Sequence, residues 1–293
     1  MLWTAPTPLD YFASLVADDD QFALTEAAVS LAQDDDPALD TQAVLATLDA
    51  HAQAARKRLS ASAEPLERVR ALHQYLYVEM GLAGNVNDFY SPANSFLHEV
   101  LRTRRGIPIS LAVIYLELAG QIGLDARGVS FPGHFLIRLR LPLGDALIDP
   151  LNGQSLSRQE LESLVEPYAQ RSREHRDWGM EGGGLPADWL APFIEPTEPR
   201  EIVSRMLRNL EALHRTAEDW SRLLQVQQRL VTLLPDDWSW RRERGQTLAR
   251  LGQNAAAIED LSCYLRHQRG GRDRAHVQAQ LEALRESGPP RWH

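Results

Sequence analysis

One cysteine, Cys263, among 293 residues excludes an internal disulfide and any zinc site built from several thiolates, which fits a reducing compartment. The nine histidines contain no HExxH pair, because His98-Glu99 lacks a second histidine at the required distance. Neither a metal nor another cofactor is therefore expected. No run approaches the roughly 20 consecutive apolar residues of a membrane-spanning helix. Met1-Leu2-Trp3-Thr4 does not lead from a basic stretch into an apolar one, as a secretory signal does. Positive charge is also scarce: 31 Lys and Arg face 40 Asp and Glu, for a net charge of -9. Acidic runs lie at Asp18-Asp19-Asp20 and Asp34-Asp35-Asp36. The basic cluster Arg102-Thr103-Arg104-Arg105 carries no interleaved aromatics on which bases could stack. These absences predict a soluble, cytoplasmic protein with neither nucleic acid nor membrane among its partners.

What is present is ordinary globular material, 44% hydrophobic, enough for one large or two modest domains. Residues 8 to 80 read as a series of helices. In the run Thr41 to Leu59, for example, Val44, Leu45, Leu48 and Ala52 form one apolar stripe. The stretch GLAGNVNDFYSPANS reads as a loop, and Asn94 or Ser95 can cap a helix over Phe96 to Thr103. Pro108 suits the first turn of the next helix, where a missing N–H costs nothing. That helix is apolar on nearly every side to Ile122, which predicts burial. Three strands follow, Ala126 to Phe131, His134 to Leu141 and Ala146 to Asp149, and then a helix around Arg158 to Tyr168. Residues 171–200 are polar and rich in Gly and Pro and read as a linker, although Trp178, Trp189 and Phe193 argue that part of it packs.

From Glu201 the pattern is helical and repeats. Ser204 to Asp237 and Trp238 to Gly271 are units of one length, the period of about 34 residues of a tetratricopeptide helix pair. Gly245 and Ala257 occupy the small positions of the second unit, where the first has Glu211 and Leu223. A final helix is expected over Arg274 to Arg285. Cys263 falls in the second helix of its unit, a place for a small core residue. The division predicted is 1–170 for a helical lead plus core, 171–200 for the linker, and 201–293 for repeats that take a protein or peptide partner.

The core has a recognisable order: Gly106-Ile107-Pro108 opening a buried helix, Gly123-Leu124-Asp125-Ala126-Arg127, then His134, then Asp149-Pro150. It resembles the transglutaminase core, in which G-x-C opens a helix and a G-(hydrophobic)-x-A-R strand start precedes His and Asp-Pro strands. The blocks NSFLHEVLRTRRGIPISLAVIYLELA, FPGHFLIRL and IDPLNG, with the repeats, resemble over nearly the whole chain a bacterial invasion-regulator (Sir-type) family. That family joins a transglutaminase-like core to tetratricopeptide repeats. The resemblance implies an α+β fold: a helical lead, a papain-like core of one buried helix and a small antiparallel sheet, and an all-α solenoid.

The resemblance also places the family's cysteine at Pro108, which has no nucleophile, while His134 and Asp149 remain as the retained pair. Ser110 is a substitute only if the helix start shifts, since two helical residues rotate a side chain by about 200°. Its simpler role is to bond nearby backbone in the first turn. Asn94 can cap a helix or lend an oxyanion donor. A two-residue turn at Leu143-Gly144 would set Asp149 opposite Arg138, so adjacency to His134 then requires a bulge or a longer turn. Two readings follow. One is a non-catalytic protein-binding or regulatory module. The other is a cysteine-independent hydrolase or acyltransferase in which His134, oriented by Asp149, activates water or Ser110.

Overall fold

The computed structural model describes residues 6–174, 189–268, 270–271 and 273–286. It is mostly helical with two small sheets, an α+β arrangement. The lead contains α1 (Pro8–Leu15), α2 (Leu24–Ser30), a short 3-10 turn (Leu31–Asp34), α3 (Thr41–Arg56) and α4 (Pro65–His73). Thr7 caps α1 reciprocally with Asp10, and Asp40 caps α3 through the Ala43 N–H. α4 passes without a break into a π-helical segment, Gln74–Glu79, which places Tyr75 and Leu76 in the interior.

Residues 80–95 are less irregular than their composition predicts. Ala83–Gly84 (β1) pairs in parallel with Arg105–Gly106 (β2), and Pro92–Ser95 forms a 3-10 turn. Between them and the core come α5 (Leu97–Thr103) and α6 (Pro108–Gln121). α6 packs against α3, α4 and α5 and against the three-stranded sheet, with Leu111 to Tyr115 and Leu118-Ala119 buried.

That sheet is an antiparallel meander of β3 (Ala126–Val129), β4 (Leu136–Leu141) and β5 (Gly144–Ile148). Its other face carries Val129, Leu136 and Leu147 into a cluster with Phe131 and with Leu161 and Val165 of α7 (Arg158–Glu174). Trp189 and Phe193, read from the sequence as packing residues of the linker, join this cluster; Trp178 lies outside the described residues.

The C-terminal helices are α8 (Pro199–Thr216), α9 (Trp220–Leu233), α10 (Ser239–Arg250), α11 (Asn254–His267) and α12 (Arg274–Glu286), two helix pairs and a final helix. Leu223 and Ala257, at equivalent places in the two pairs, are both fully buried, and Cys263 is buried in α11. The chain divides into two compact units that do not follow its order. The first unit comprises residues 1–23, 30–39 and 203–293, the second 24–29 and 40–202. α1 and the 3-10 turn thus belong with α9, against which both pack, because Phe12 and Leu31 bury there.

Candidate functional site

The start of α6 is fixed by its own residues. Pro108 occupies the first helical position, half-buried, with Ile107 as N-cap. Ser110 Oγ accepts the Ile107 N–H at 3.1 Å and lies 2.6 Å from the Asn94 carbonyl and 3.0 Å from that of Ile107. Its one proton is thereby committed to backbone, and the side chain is fully buried. Gly106 allows this closure, since a Cβ there would meet Ser110 Oγ at 2.8 Å and the Val100 methyls at 3.1 Å.

Asn94 neither caps α5 nor offers a donor to a cleft. α5 starts after Phe96 with no side-chain cap, and the Asn94 amide faces the opposite direction in sequence. Its Nδ2 donates to the Asp88 carbonyl at 2.6 Å and the Phe89 carbonyl at 3.1 Å, while Oδ1 accepts from Asn85 Nδ2 at 2.9 Å. With both protons spent and the side chain buried, Asn94 serves as the internal clasp of the 85–94 loop. That competing partner could not be seen from the cap-like spacing alone. On the outside, the same loop exposes Val86, Phe89 and Tyr90.

His134 and Asp149 do meet. His134 Nε2 lies 3.1 Å from Asp149 Oδ1, with the side chains 15% and 16% exposed, so the pair is sheltered but not sealed. The hairpin register explains how. The tight turn is Pro142-Leu143 rather than Leu143-Gly144, because Leu141 pairs with Gly144 and Arg138 with Leu147. Asp149 therefore follows Ile148, which faces Ile137, and comes within diagonal reach of His134 without a bulge.

Asp149 has a second duty. Its Oδ1 also accepts the Leu151 N–H at 2.9 Å, and its carbonyl accepts the Gly153 N–H at 2.8 Å, which closes the turn after β5. Gly153 has φ +74°, and a Cβ there would collide with the Tyr77 ring. The Tyr77 hydroxyl donates to the Pro150 carbonyl at 3.3 Å. Burial, reinforced by the negative charge of Asp149, pushes the Tyr77 phenol far above its ordinary range.

Behind Tyr77 stand two more groups that sequence reading did not single out. The His73 ring packs edge-on against Tyr77 and Tyr115, with His73 Nε2 2.9 Å from the Tyr115 hydroxyl. Burial holds His73 below the usual histidine range and lifts Tyr115 well above the usual phenol range. The available signal was the pair His73 and Tyr77, four residues apart and so on one helix face, but the pattern is common to many core helices. Among the described residues no group of three or more His, Cys, Asp or Glu side chains is arranged to hold a metal. No described helix is long and apolar enough to cross a membrane.

What the arrangement can do chemically is limited by its parts. A hydrogen-bonded imidazole and carboxylate can take up and return a proton, and the turn at Asp149 fixes the ring's orientation. The first position of α6 holds a pyrrolidine ring, which offers no nucleophile.

Comparison with known proteins gives two family matches. A model described as the transglutaminase-like superfamily matches residues 42–208, and one described as a tetratricopeptide repeat matches residues 210–282. A UPF0162 protein of Xylella fastidiosa (strain 9a5c) is 35% identical over 251 residues, 85% of either chain. Its Pseudomonas aeruginosa counterpart is 30% identical over 213 residues, 73% of either chain. F-box only protein 21 of Homo sapiens is 43% identical over 68 residues, 23% of this chain and 11% of that protein. No solved structure matches.

Proposed function

The chain belongs with the UPF0162 proteins to the transglutaminase-like superfamily and carries tetratricopeptide repeats, and from this premise we propose that it is a non-catalytic protein-binding or regulatory module. The start of α6 carries this reading. Pro108 stands where the resemblance places the cysteine, and the nearest hydroxyl, Ser110, is buried with its proton held by backbone carbonyls. Without a nucleophile the His134–Asp149 pair has no covalent step to serve, and its bond secures the turn after β5.

Tetratricopeptide repeats generally mediate protein–protein interaction, and residues 201–293 are assigned that role here. The exposed Val86, Phe89 and Tyr90 add an apolar surface on the core itself. The same proposal includes the division into 1–170, 171–200 and 201–293 as functional segments, kinship with the invasion-regulator family, and a cytoplasmic location.

One observation favours the second reading, a cysteine-independent hydrolase or acyltransferase. The His134–Asp149 pair is bonded yet still partly open, as a base acting on water requires. The test uses full-length protein with activated ester and amide probes, followed by intact mass measurement, alongside partner capture by wild type and His134→Ala. The expected result is no adduct, no turnover and equal capture. A covalent acyl adduct on the core, or turnover abolished by His134→Ala, overturns the proposal.

A further inference from the structure

A cavity of about 400 Å³ lies at the edge of β3 within the second unit, inside the usual size range of small-ligand sites. None of the residues discussed above as the candidate site lines it. Leu24, Leu116 and Ile202 provide apolar walls, and Arg127, Arg138 and Arg140 provide cationic ones. The outer wall is the segment leading into α8, pinned to β3 by Thr197, whose N–H donates to the Gly128 carbonyl at 2.8 Å and whose Oγ1 accepts the Ser130 N–H at 2.7 Å.

The placement of the arginines is the informative feature. Arg127 is directly opposite Arg138 in the β3–β4 register, and Arg140 follows two residues later on the same face. Like charges set opposite each other on a sheet are destabilising, so such a pair needs an anion to offset it. Arg138 has its own, Asp145 at 2.6 Å, and also donates to the Ile194 carbonyl. Arg127 and Arg140 share a single carboxylate, Asp125, at 3.4 and 3.6 Å, while 67% and 75% exposed. Glu198, the other acidic residue of the lining, has no ion pair among the described residues. Two guanidinium groups on neighbouring strands thus converge on one loosely held carboxylate, beside a hollow to which Leu24, Leu116 and Ile202 contribute apolar wall.

We propose that this cavity binds a small organic oxyanion, a carboxylate or a phosphate ester. Its charged head sits between Arg127 and Arg140 and its apolar body against Leu24, Leu116 and Ile202. Guanidinium groups bind both heads through paired N–H donors, so the chemistry is shared and the source is separated by experiment. This site is independent of the reading given to His134 and Asp149.

The test is calorimetric titration of the full-length protein with octanoate, octyl phosphate and inorganic phosphate. At least one of the two amphiphiles is expected to saturate a single site, more tightly than inorganic phosphate, and the stronger of them identifies the head group. The double variant Arg127→Gln/Arg140→Gln, at exposed positions, is expected to bind about tenfold more weakly. Asp125→Asn, which removes the competing carboxylate, is expected to bind about threefold more tightly. Unsaturable uptake of both amphiphiles, equal affinity for inorganic phosphate, or unchanged affinity in both variants overturns the proposal. Urea midpoints of the variants confirm that they fold, and the opposite signs expected at Asp125 and at the arginines distinguish ligand binding from loss of structure.

Discussion

Arg229 of α9 and Asp34 of the 3-10 turn, 195 residues apart in sequence, form a bidentate ion pair, Nε to Oδ2 at 2.6 Å and Nη2 to Oδ1 at 2.8 Å. The arginine is 1% exposed and the aspartate 18%, so the cation is the more deeply desolvated partner. The Ser30 carbonyl accepts a further bond from Nη2 at 3.0 Å, and the guanidinium lies 4.9 Å from the centre of the Phe12 ring. Removing the carboxylate leaves a buried charge without its counterion, whereas removing the arginine leaves an aspartate that water can reach. Asp34→Ala is therefore expected to destabilise the first unit by about 3 kcal/mol or more, and Arg229→Met by less. Urea denaturation of the two variants ranks them; the reverse order would refute this account.

Gly153 links backbone conformation to the candidate site. A methyl group there meets both the left-handed φ and the Tyr77 ring, so Gly153→Ala is expected to cost about 3 kcal/mol. The same change should release the turn that positions Asp149, seen as a shift of the His134 ring resonances. Asp149→Asn keeps an acceptor for the Leu151 N–H and should cost less than Asp149→Ala, for which about 1–2 kcal/mol is expected. Equal losses from the two Asp149 variants would show that the Asx turn does not matter.

Acid should weaken the second unit through His73. Burial depresses its folded-state pKa below the ordinary 6.5, so the unfolded chain takes up the proton first as pH falls. The resulting stability is complete above about 6.5 and is lost progressively as pH drops toward the folded-state value. His51, lowered by burial and then by Arg104, acts with the same sign. Urea midpoints at pH 7.5 and pH 5.5 should show the loss. His73→Gln, which keeps a partner for Tyr115, should reduce its slope; an unchanged slope would assign the effect elsewhere.

Gln227 of α9 is fully buried, and neither polar atom of its side-chain amide has a partner among the described residues. Burying an unsatisfied amide costs more than burying an alkyl group of similar size. Gln227→Leu is therefore expected to stabilise the protein by about 1–2 kcal/mol, read as a higher denaturation midpoint at unchanged slope. A lower midpoint would mean that the amide is hydrated or paired in solution.

Much of the fold was legible in the sequence because the local signals agreed. Pro108, the apolar run behind it and Gly123 delimit α6, and the 34-residue period gives the two C-terminal helix pairs. Other features depend on partners that lie far along the chain. Asn94 looks like a cap, yet its amide closes a loop ahead of it. The hairpin turn falls one residue before the Leu143-Gly144 alternative, which moves the register by two and brings Asp149 within diagonal reach of His134 instead of opposite Arg138. Tyr77 acquires its place beside Asp149 only through the turn at Gly153. Arg229 reads as one more charge on an amphipathic helix until Asp34 is placed against it.

The first unit is made from both ends of the described chain, and this imposes an order on synthesis. Residues 40–202 of the second unit are contiguous and can begin to pack as they leave the ribosome. α1 emerges early, but the helix it packs against follows some two hundred residues later, about 10–40 s at ordinary elongation rates. Throughout that interval Phe12 and Leu31 lack the surface that buries them in the finished protein. Maturation of the repeat-bearing unit is thus timed by translation itself, and a nascent-chain chaperone would find its substrate in α1 and the 3-10 turn, well upstream of α9.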